Sequence, residues 1–268
     1  MTSTPQADGT DHGRVTIEVD GQVLLLGIDR ASRRNALTPT MLRELSAAYA
    51  RFDQDDALRC AVLFGHGSVF SAGFDVSLLK EAIESDAIAY GSGEYDPFGL
   101  SGERLHKPLV VAVHGVCFAG ALELALNGDI IVAAEGTLLG QPEVNVGVFA
   151  FGGGAIRWQQ RVGWGNAQRY LLTGESLSAD EAHRIGLVQE VVRSDALVER
   201  AKAIAARIAR MAPLGVRDSL AVSRRALDDP SAAVDEMARR RRDIIASEDA
   251  ADGLRAFVEK REASYSAR

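Results

Sequence analysis

At 268 residues, 47% hydrophobic and 25% charged, the chain is long enough for one substantial core plus a smaller appendage, and too apolar to be disordered throughout. A net charge of −7 argues against a surface built to bind nucleic acid, and no stretch reaches the ~20 uninterrupted apolar residues of a membrane helix. Its two cysteines, Cys60 and Cys117, lie in apolar contexts without metal-type spacing, the pattern of buried thiols in a reducing, cytoplasmic compartment with no metal site.

Residues 1–13 mix turn formers and polar side chains with no apolar period and read as a loose tail; no apolar stretch follows a basic start, so this is not a signal peptide. Val15, Ile17 and Val19 alternate with polar residues, Asp20-Gly21 gives a two-residue turn signal, and Val23 to Ile28 returns, which predicts a hairpin. Thr38-Pro39 supplies an N-cap and an N1 proline, and Met41, Leu42, Leu45, Ala48, Tyr49 and Phe52 follow at helical spacing. Leu58 to Phe64 and Leu109 to Val113 read as strands, each closed by a glycine turn. A short helix from about Ala119 to Leu126 and a strand from Asp129 to Ala133 come next. Alternating strand, glycine turn and helix is the α/β pattern, with crossovers feeding a largely parallel sheet. Between the glycine turns, Lys80 to Lys107 is a long, weakly patterned insert of the kind that covers a pocket. Past Val192 the pattern is helical, over 195–211, 215–227, 232–246 and 250–260, with apolar faces that fold back on the core or form an oligomer interface. The expected division is a tail over 1–13, a core over 14–195 and a helical C-terminal subdomain over 196–268.

Glu123 and Glu143 occupy the least polar surroundings. The stretch 109–134 carries only two acids, Glu123 and Asp129, and no lysine or arginine. Burial disfavours a charged carboxylate, so such an acid finds a partner or titrates abnormally, as working acids and bases do. The turns Ser71-Ala72-Gly73 and Ala119-Gly120-Ala121 each follow a strand and precede a helix, where small residues admit a ligand to the main chain and N–H groups point outward. Two such donors on one oxygen make an oxyanion hole, and two carboxylates beside it suit the addition or removal of water next to a carbonyl. Plainer readings stand beside this one: tight strand-to-helix turns, a Glu123 that stabilises its helix dipole, and a solvated Glu143. Gly152-Gly153-Gly154 lacks the lysine and hydroxyl of a phosphate loop and reads as close packing at a helix start. His66 and His114 read as turn residues, the run Arg239 to Arg242 as a solvated helix face or intersubunit ion pairs, and no GxSxG marks a serine nucleophile.

Asn35-Ala36-Leu37, Phe70-Ser71-Ala72-Gly73-Phe74-Asp75, His114-Gly115 through Glu123-Leu124-Ala125, Gly140-Gln141-Pro142-Glu143, Leu172-Thr173-Gly174, Ala182 through Gly186-Leu187-Val188 and Ala256-Phe257-Val258-Glu259-Lys260-Arg261 form an ordered set. From about Val15 to the C-terminus the chain thereby resembles the enoyl-CoA hydratase/isomerase, or crotonase, superfamily. The resemblance implies a crotonase-like spiral of ββα turns with a C-terminal helical trimerisation subdomain, assembled as a homotrimer or dimer of trimers. It implies an acyl-CoA thioester substrate, coenzyme A being part of the substrate and no separate cofactor being needed. The implied activity is that of an enoyl-CoA hydratase of fatty acid metabolism, reversible syn addition of water, with Glu123 and Glu143 activating water and delivering a proton. Ala72 and Gly120 are then the oxyanion-hole donors.

By the same resemblance, Arg33 or Arg34 meets the coenzyme A phosphates, and Ser71, Phe74, Asp75 and Phe151 border the bound thioester. Phe257 and Lys260 match positions that reach coenzyme A from a neighbouring subunit. Two departures touch the site. Ala119-Gly120-Ala121 stands where three glycines are common, and Ala150-Phe151 where a proline and glycine usually stand. Phe151 adds bulk beside the acyl pocket and points to a different acyl group. The rival readings are a double-bond isomerase of the same family, which needs one carboxylate, a non-catalytic acyl-CoA binder, and an RNA-binding relative, the last opposed by the acidic net charge.

Overall fold

The computed structural model describes residues 11–267, so the expected tail lies outside the described residues except for Asp11 to Gly13. Those three are tied down: Arg30 Nε donates to Asp11 O at 2.6 Å and Thr38 Oγ1 to His12 O at 2.7 Å.

The hairpin forms from β1 (Arg14–Asp20) and β2 (Val23–Asp29). Asp20 pairs with Val23, so Gly21-Gln22 makes the turn, one residue later than the Asp20-Gly21 signal suggested. Next comes α1 (Pro39–Gln54), whose N-cap Thr38 Oγ1 accepts from Met41 N at 3.2 Å, and whose buried stripe is the predicted one. Then follow β3 (Cys60–Gly65), α2 (Val76–Glu84), β4 (Leu109–Val113), β5 (Val116–Phe118), α3 (Gly120–Leu126), β6 (Ile130–Ala134) and β7 (Leu138–Gly140). The chain continues through α4 (Gly154–Thr173), β8 (Ser176–Ser178), α5 (Ala179–Arg184), β9 (Glu190–Val192), α6 (Leu197–Ala209), α7 (Pro213–Asp228), α8 (Pro230–Ile245) and α9 (Glu248–Glu259).

One sheet has the order β1-β2-β3-β4-β6-β9, parallel throughout except for the hairpin; a smaller sheet has the order β5-β7-β8. Both faces of the larger sheet are covered over β2, β3, β4 and β6, which is why these strands are apolar at nearly every position, whereas the edge strand β1 alternates. Leu24, Leu26, Ala61, Leu63, Leu109 and Val111 face α1 and α3, while Val23, Leu25, Cys60, Val62, Val110 and Ala112 face α6. Ala201, Ala205 and Ala209, one helical turn apart, let α6 lie close on that second face. After β4 the chain turns at His114-Gly115 and passes as β5 into the smaller sheet, and this switch sets up the site.

The insert is ordered by polar anchors. Asp96, buried, accepts from the N–H groups of Phe98 (2.8 Å), Leu100 (2.8 Å) and Ser101 (3.0 Å). Lys107 closes the end of α1 by donating to Phe52 O at 2.9 Å and Asp55 O at 2.8 Å, and burial lowers its pKa. In contrast, α7 buries no residue, and Leu227, Val234, Met237, Leu254, Phe257 and Val258 on α7 to α9 stand exposed. Arg240 of the arginine run pairs with Asp218 and Glu236.

Candidate active site

Two main-chain segments meet where the sheets diverge. Ser71 N donates to Val116 O at 3.1 Å and Phe118 N to Ser71 O at 3.3 Å, which lays the 71–74 turn alongside β5 and the start of α3. A methyl group on Gly73 would stand 3.0 Å from both Phe118 O and the Ala119 Cβ, and 3.6 Å from Gly120 N; one on Gly120 would stand 2.5 Å from the Phe74 ring. Only glycine permits that approach.

The donors in the first turn differ from expectation. Ala72 N donates to Arg34 O at 3.0 Å and Gly73 N to Ser71 Oγ at 3.2 Å, so the expected donor Ala72 is engaged within the chain. Leu37 N donates to Gly73 O, and Asp75 N to Leu37 O, both at 2.8 Å. In this parallel bridge the intervening N–H, that of Phe74, faces away from Leu37 and has no partner among the described residues. The donor beside Gly120 is therefore Phe74, two residues beyond the expected one. Gly120 opens α3, so its N–H has no partner within the helix. Ala119 precedes it at φ 51°, ψ −130°, a conformation that costs an L-residue roughly 1–3 kcal/mol. It is held there by Ala119 N donating to Gly140 O at 2.9 Å and by three donors on its own carbonyl: Leu122 N (2.9 Å), Glu123 N (3.1 Å) and Gln141 Nε2 (3.2 Å).

Glu123, 2% exposed, points from α3 at the start of α4, where its Oε1 accepts from Gly154 N at 2.9 Å. Methyl groups on Gly152 or Gly154 would stand 2.7 and 3.0 Å from its carboxyl oxygens, so the glycine run packs against this acid and cradles no phosphate. Burial pushes the Glu123 pKa up to about 7; the charge of Glu143 adds to this, and the Gly154 and Gly152 N–H groups oppose it. Glu143 lies in the 3-10 turn Pro142–Val146, not in a solvated loop. Its Oε1 accepts from Gln141 Nε2 at 2.7 Å, and its Oε2 is buried with no partner among the described residues. Burial raises this carboxyl too, against the Gln141 amide. The two acids adjoin: a methyl on Gly154 would lie 3.0 Å from Glu123 Oε1 and 3.3 Å from Cδ of the same Gln141 that holds Glu143.

Four supporting side chains carried no separate signal in the sequence. Gln141 and Trp158 tie the glutamate shelf to α4. Arg157, buried and without a carboxylate partner among the described residues, donates to Phe98 O and Gly99 O and fastens the insert; burial lowers its pKa to about 10. Asn35, fully buried, accepts from Arg30 N and donates to His66 O, Val69 O and Phe70 O at 2.7–3.1 Å, cross-linking the ends of β2 and β3.

Of the remaining expected ligand contacts, Ser71 and Asp75 are committed within the protein. The buried Ser71 hydroxyl donates to Asn35 O at 2.7 Å. Asp75 caps α2 through Ser77 and accepts from Arg30 Nη1 at 2.7 Å, and the Ser77 hydroxyl and Arg30 hold its carboxyl below the usual range. Arg33 and Arg34 are exposed beyond the C-terminal end of β2. Phe151 is half-buried beside Gly152, its ring 6.0 Å from that of Phe149, which is 63% exposed. Phe74 packs on Phe98 of the insert at 5.4 Å. Phe257, 85% exposed, and Lys260 end α9, whose tail is held at the N-terminal end of β3 by Arg59 donating to Tyr265 O at 2.7 Å. Since β2 and β3 are parallel, this chain places Tyr265 and the arginine pair at opposite ends of the sheet. His66, bonded to Thr16 at 2.7 Å, and His114, bonded to Gly67 O at 3.0 Å, are turn residues.

Paired main-chain donors beside paired acids, mounted on an α/β core, are an arrangement that can stabilise an oxyanion and move protons. The chain belongs to the enoyl-CoA hydratase/isomerase family, whose model matches residues 18–268. It is 34% identical over 249 residues to the short-chain-enoyl-CoA hydratase of Clostridium acetobutylicum, covering 92% of this chain and 95% of that one. It is 35% identical over 254 residues to a probable enoyl-CoA hydratase of Rhizobium meliloti, covering 93% and 96%. The crystal structure of a probable enoyl-CoA hydratase/isomerase from Mycobacterium abscessus superposes with a TM-score of 0.90 at 42% identity, over 95% of this chain and 98% of that one. The fold is the crotonase fold. No helix among the described residues is long and apolar enough to cross a membrane.

Proposed function

We propose that this chain is an enoyl-CoA hydratase, adding water reversibly to a 2-enoyl-CoA thioester at the Glu123–Glu143 site. The observation that carries the reading is the meeting of two main-chain donors without a partner among the described residues, Phe74 N and Gly120 N, with two adjoining, raised-pKa carboxyls. In this reading the thioester oxygen accepts from both N–H groups, which draws charge from Cβ and stabilises the enolate. One carboxylate takes a proton from water as its oxygen bonds to Cβ, and the other carboxylic acid gives a proton to Cα, so the pair ends with as many protons as it began with. Two adjoining acids, both raised by burial and Glu123 to about 7, suit that exchange better than an isomerisation, which needs only one.

The acyl group is proposed to differ from crotonyl. Support comes from Phe151, whose ring fills space that a smaller residue would leave open, and from the exposed apolar side chains of Val146, Val148 and Phe149 in the same segment. Arg33 and Arg34, exposed and without ion-pair partners among the described residues, are proposed to take the coenzyme A phosphates. The uncovered apolar faces of α7 to α9 support a homotrimer or dimer of trimers, in which Phe257 and Lys260 would serve a neighbour's site. Free, buried Cys60 and Cys117 fit a cytoplasmic enzyme. A screen of crotonyl-, medium-chain and aromatic 2-enoyl-CoAs, with 3-enoyl-CoAs alongside, tests the proposal. Loss of the enoyl-thioester absorbance band supports it, and turnover confined to double-bond migration overturns it.

A further inference from the structure

We infer that Trp158 is a positioning residue: its indole N–H fixes the orientation of the Gln141 amide, and that amide aims Glu143 while clamping the Ala119–Gly120 peptide. The inference rests on the hydratase reading given above. Trp158 is fully buried in α4, and its Nε1 donates to Gln141 Oε1 at 3.1 Å. An indole N–H can only donate, so the oxygen of the amide must face it and the NH2 must face the other way. That NH2 donates to two acceptors, Glu143 Oε1 at 2.7 Å and Ala119 O at 3.2 Å. Gln141 is 1% exposed, so no solvent competes for these groups. An amide turned over would set its oxygen against both the Glu143 carboxylate and the Ala119 carbonyl. One donor in α4 thus sets the geometry of the acid and, through the strained Ala119, the aim of the Gly120 N–H.

The charged groups facing this node are Glu143, Glu123 from α3 and Arg157 from α4. Tyr170, whose ring lies 5.5 Å from that of Trp158, bonds to Glu181 and leaves the Gln141 amide to the indole. Trp158→Phe keeps most of the bulk and deletes the donor. With wild-type turnover first established on an accepted 2-enoyl-CoA, the variant is expected to lose roughly 10- to 100-fold in kcat with KM within about twofold. The acid limb of its pH profile should move to higher pH, because Glu143 loses a bond that favours its charged form. In a Gln141→Met background the same substitution should add little. Unchanged kcat, a loss without movement of the acid limb, or a full additional loss in the Gln141→Met background overturns the role.

A second measurement uses the intact protein. The chain has two tryptophans, Trp158 and Trp164, the latter exposed, so their indole N–H signals in protein labelled with 15N-tryptophan are separated by hydrogen exchange. The protected signal should shift with pH at the midpoint of the acid limb, since Gln141 relays the charge of Glu143 to it. A signal that does not respond to pH overturns the inference even if Trp158→Phe fails to fold. A wild type that turns over no thioester sinks the hydratase reading instead and leaves this signal as a separate test of the hydrogen-bond chain.

Discussion

Replacing Glu123 by Gln should make the protein more stable and less active at once, with a sign that reverses on acidification. The folded pKa of Glu123 is raised from 4.5 to about 7, chiefly by burial. An acid raised in the fold binds its proton more tightly when folded. Its contribution is therefore most favourable below about 4.5 and is lost as pH rises through about 7. At about pH 8 the ionised wild-type side chain costs on the order of 3 kcal/mol. A glutamine avoids that cost, but its NH2 turns one of the two glycine N–H groups, Gly152 or Gly154, away from an acceptor, at about 1 kcal/mol. The net gain at about pH 8 is about 2 kcal/mol, worth roughly 4–8 °C in Tm for a chain of this size. Below about pH 4.5 the acid is neutral in both folded and unfolded states, and the variant should be equal or slightly worse. Thermal denaturation of both proteins across this range, with hydration rates on the same samples, is the assay. Hydration should fall by at least about 100-fold. A stability difference of one sign at all pH values would refute the buried-acid reasoning, and intact turnover would refute the acid's part in hydration.

Phe151→Gly should raise the preference for bulkier over crotonyl thioesters by about tenfold in kcat/KM, the size expected when a pocket gains a ring's worth of space; an unchanged ratio places the acyl group elsewhere. Asn35→Ala, which abandons four hydrogen bonds at the ends of β2 and β3, should cost about 3–4 kcal/mol and lower Tm by roughly 10 °C. A calorimetric change under about 1 kcal/mol would show that those bonds are replaced by water. Charging the exposed face of α9 with Phe257→Asp and Val258→Asp should shift sedimentation from a trimer or hexamer towards the monomer; an oligomer of unchanged size places the interface on another surface.

Much of the fold was legible because its signals are local. Thr38-Pro39 states the start of α1 on its own, and the continuous apolar runs of β3, β4 and β6 follow from a sheet covered on both faces. The hairpin turn moved by one residue because register depends on pairing across the strands, which Asp20-Gly21 alone does not specify. In the site, Glu123, Glu143 and Gly120 stood out as acids in apolar surroundings or as a glycine at a helix start. The Ala72 expectation failed for a non-local reason. Which N–H in the turn is free depends on what Arg34 and Leu37, more than thirty residues earlier, accept from it. Ser71 and Asp75 look like ligand groups in the sequence because their partners, Asn35 and Arg30, are distant in it. Trp158 and Arg157 carry no local signal in the sequence, and only the packing of α4 against Gln141 and Phe98 gives them a part.

The central claim is that Phe74 N, Gly120 N and the two glutamates surround one thioester. A crystal structure with a slowly hydrated or saturated acyl-CoA analogue bound tests it most directly. The account predicts the thioester oxygen about 3 Å from both Phe74 N and Gly120 N, with the Glu123 and Glu143 carboxyls flanking Cα and Cβ. A thioester oxygen bonded elsewhere, or an acyl chain that leaves either carboxyl out of reach of those carbons, would contradict it.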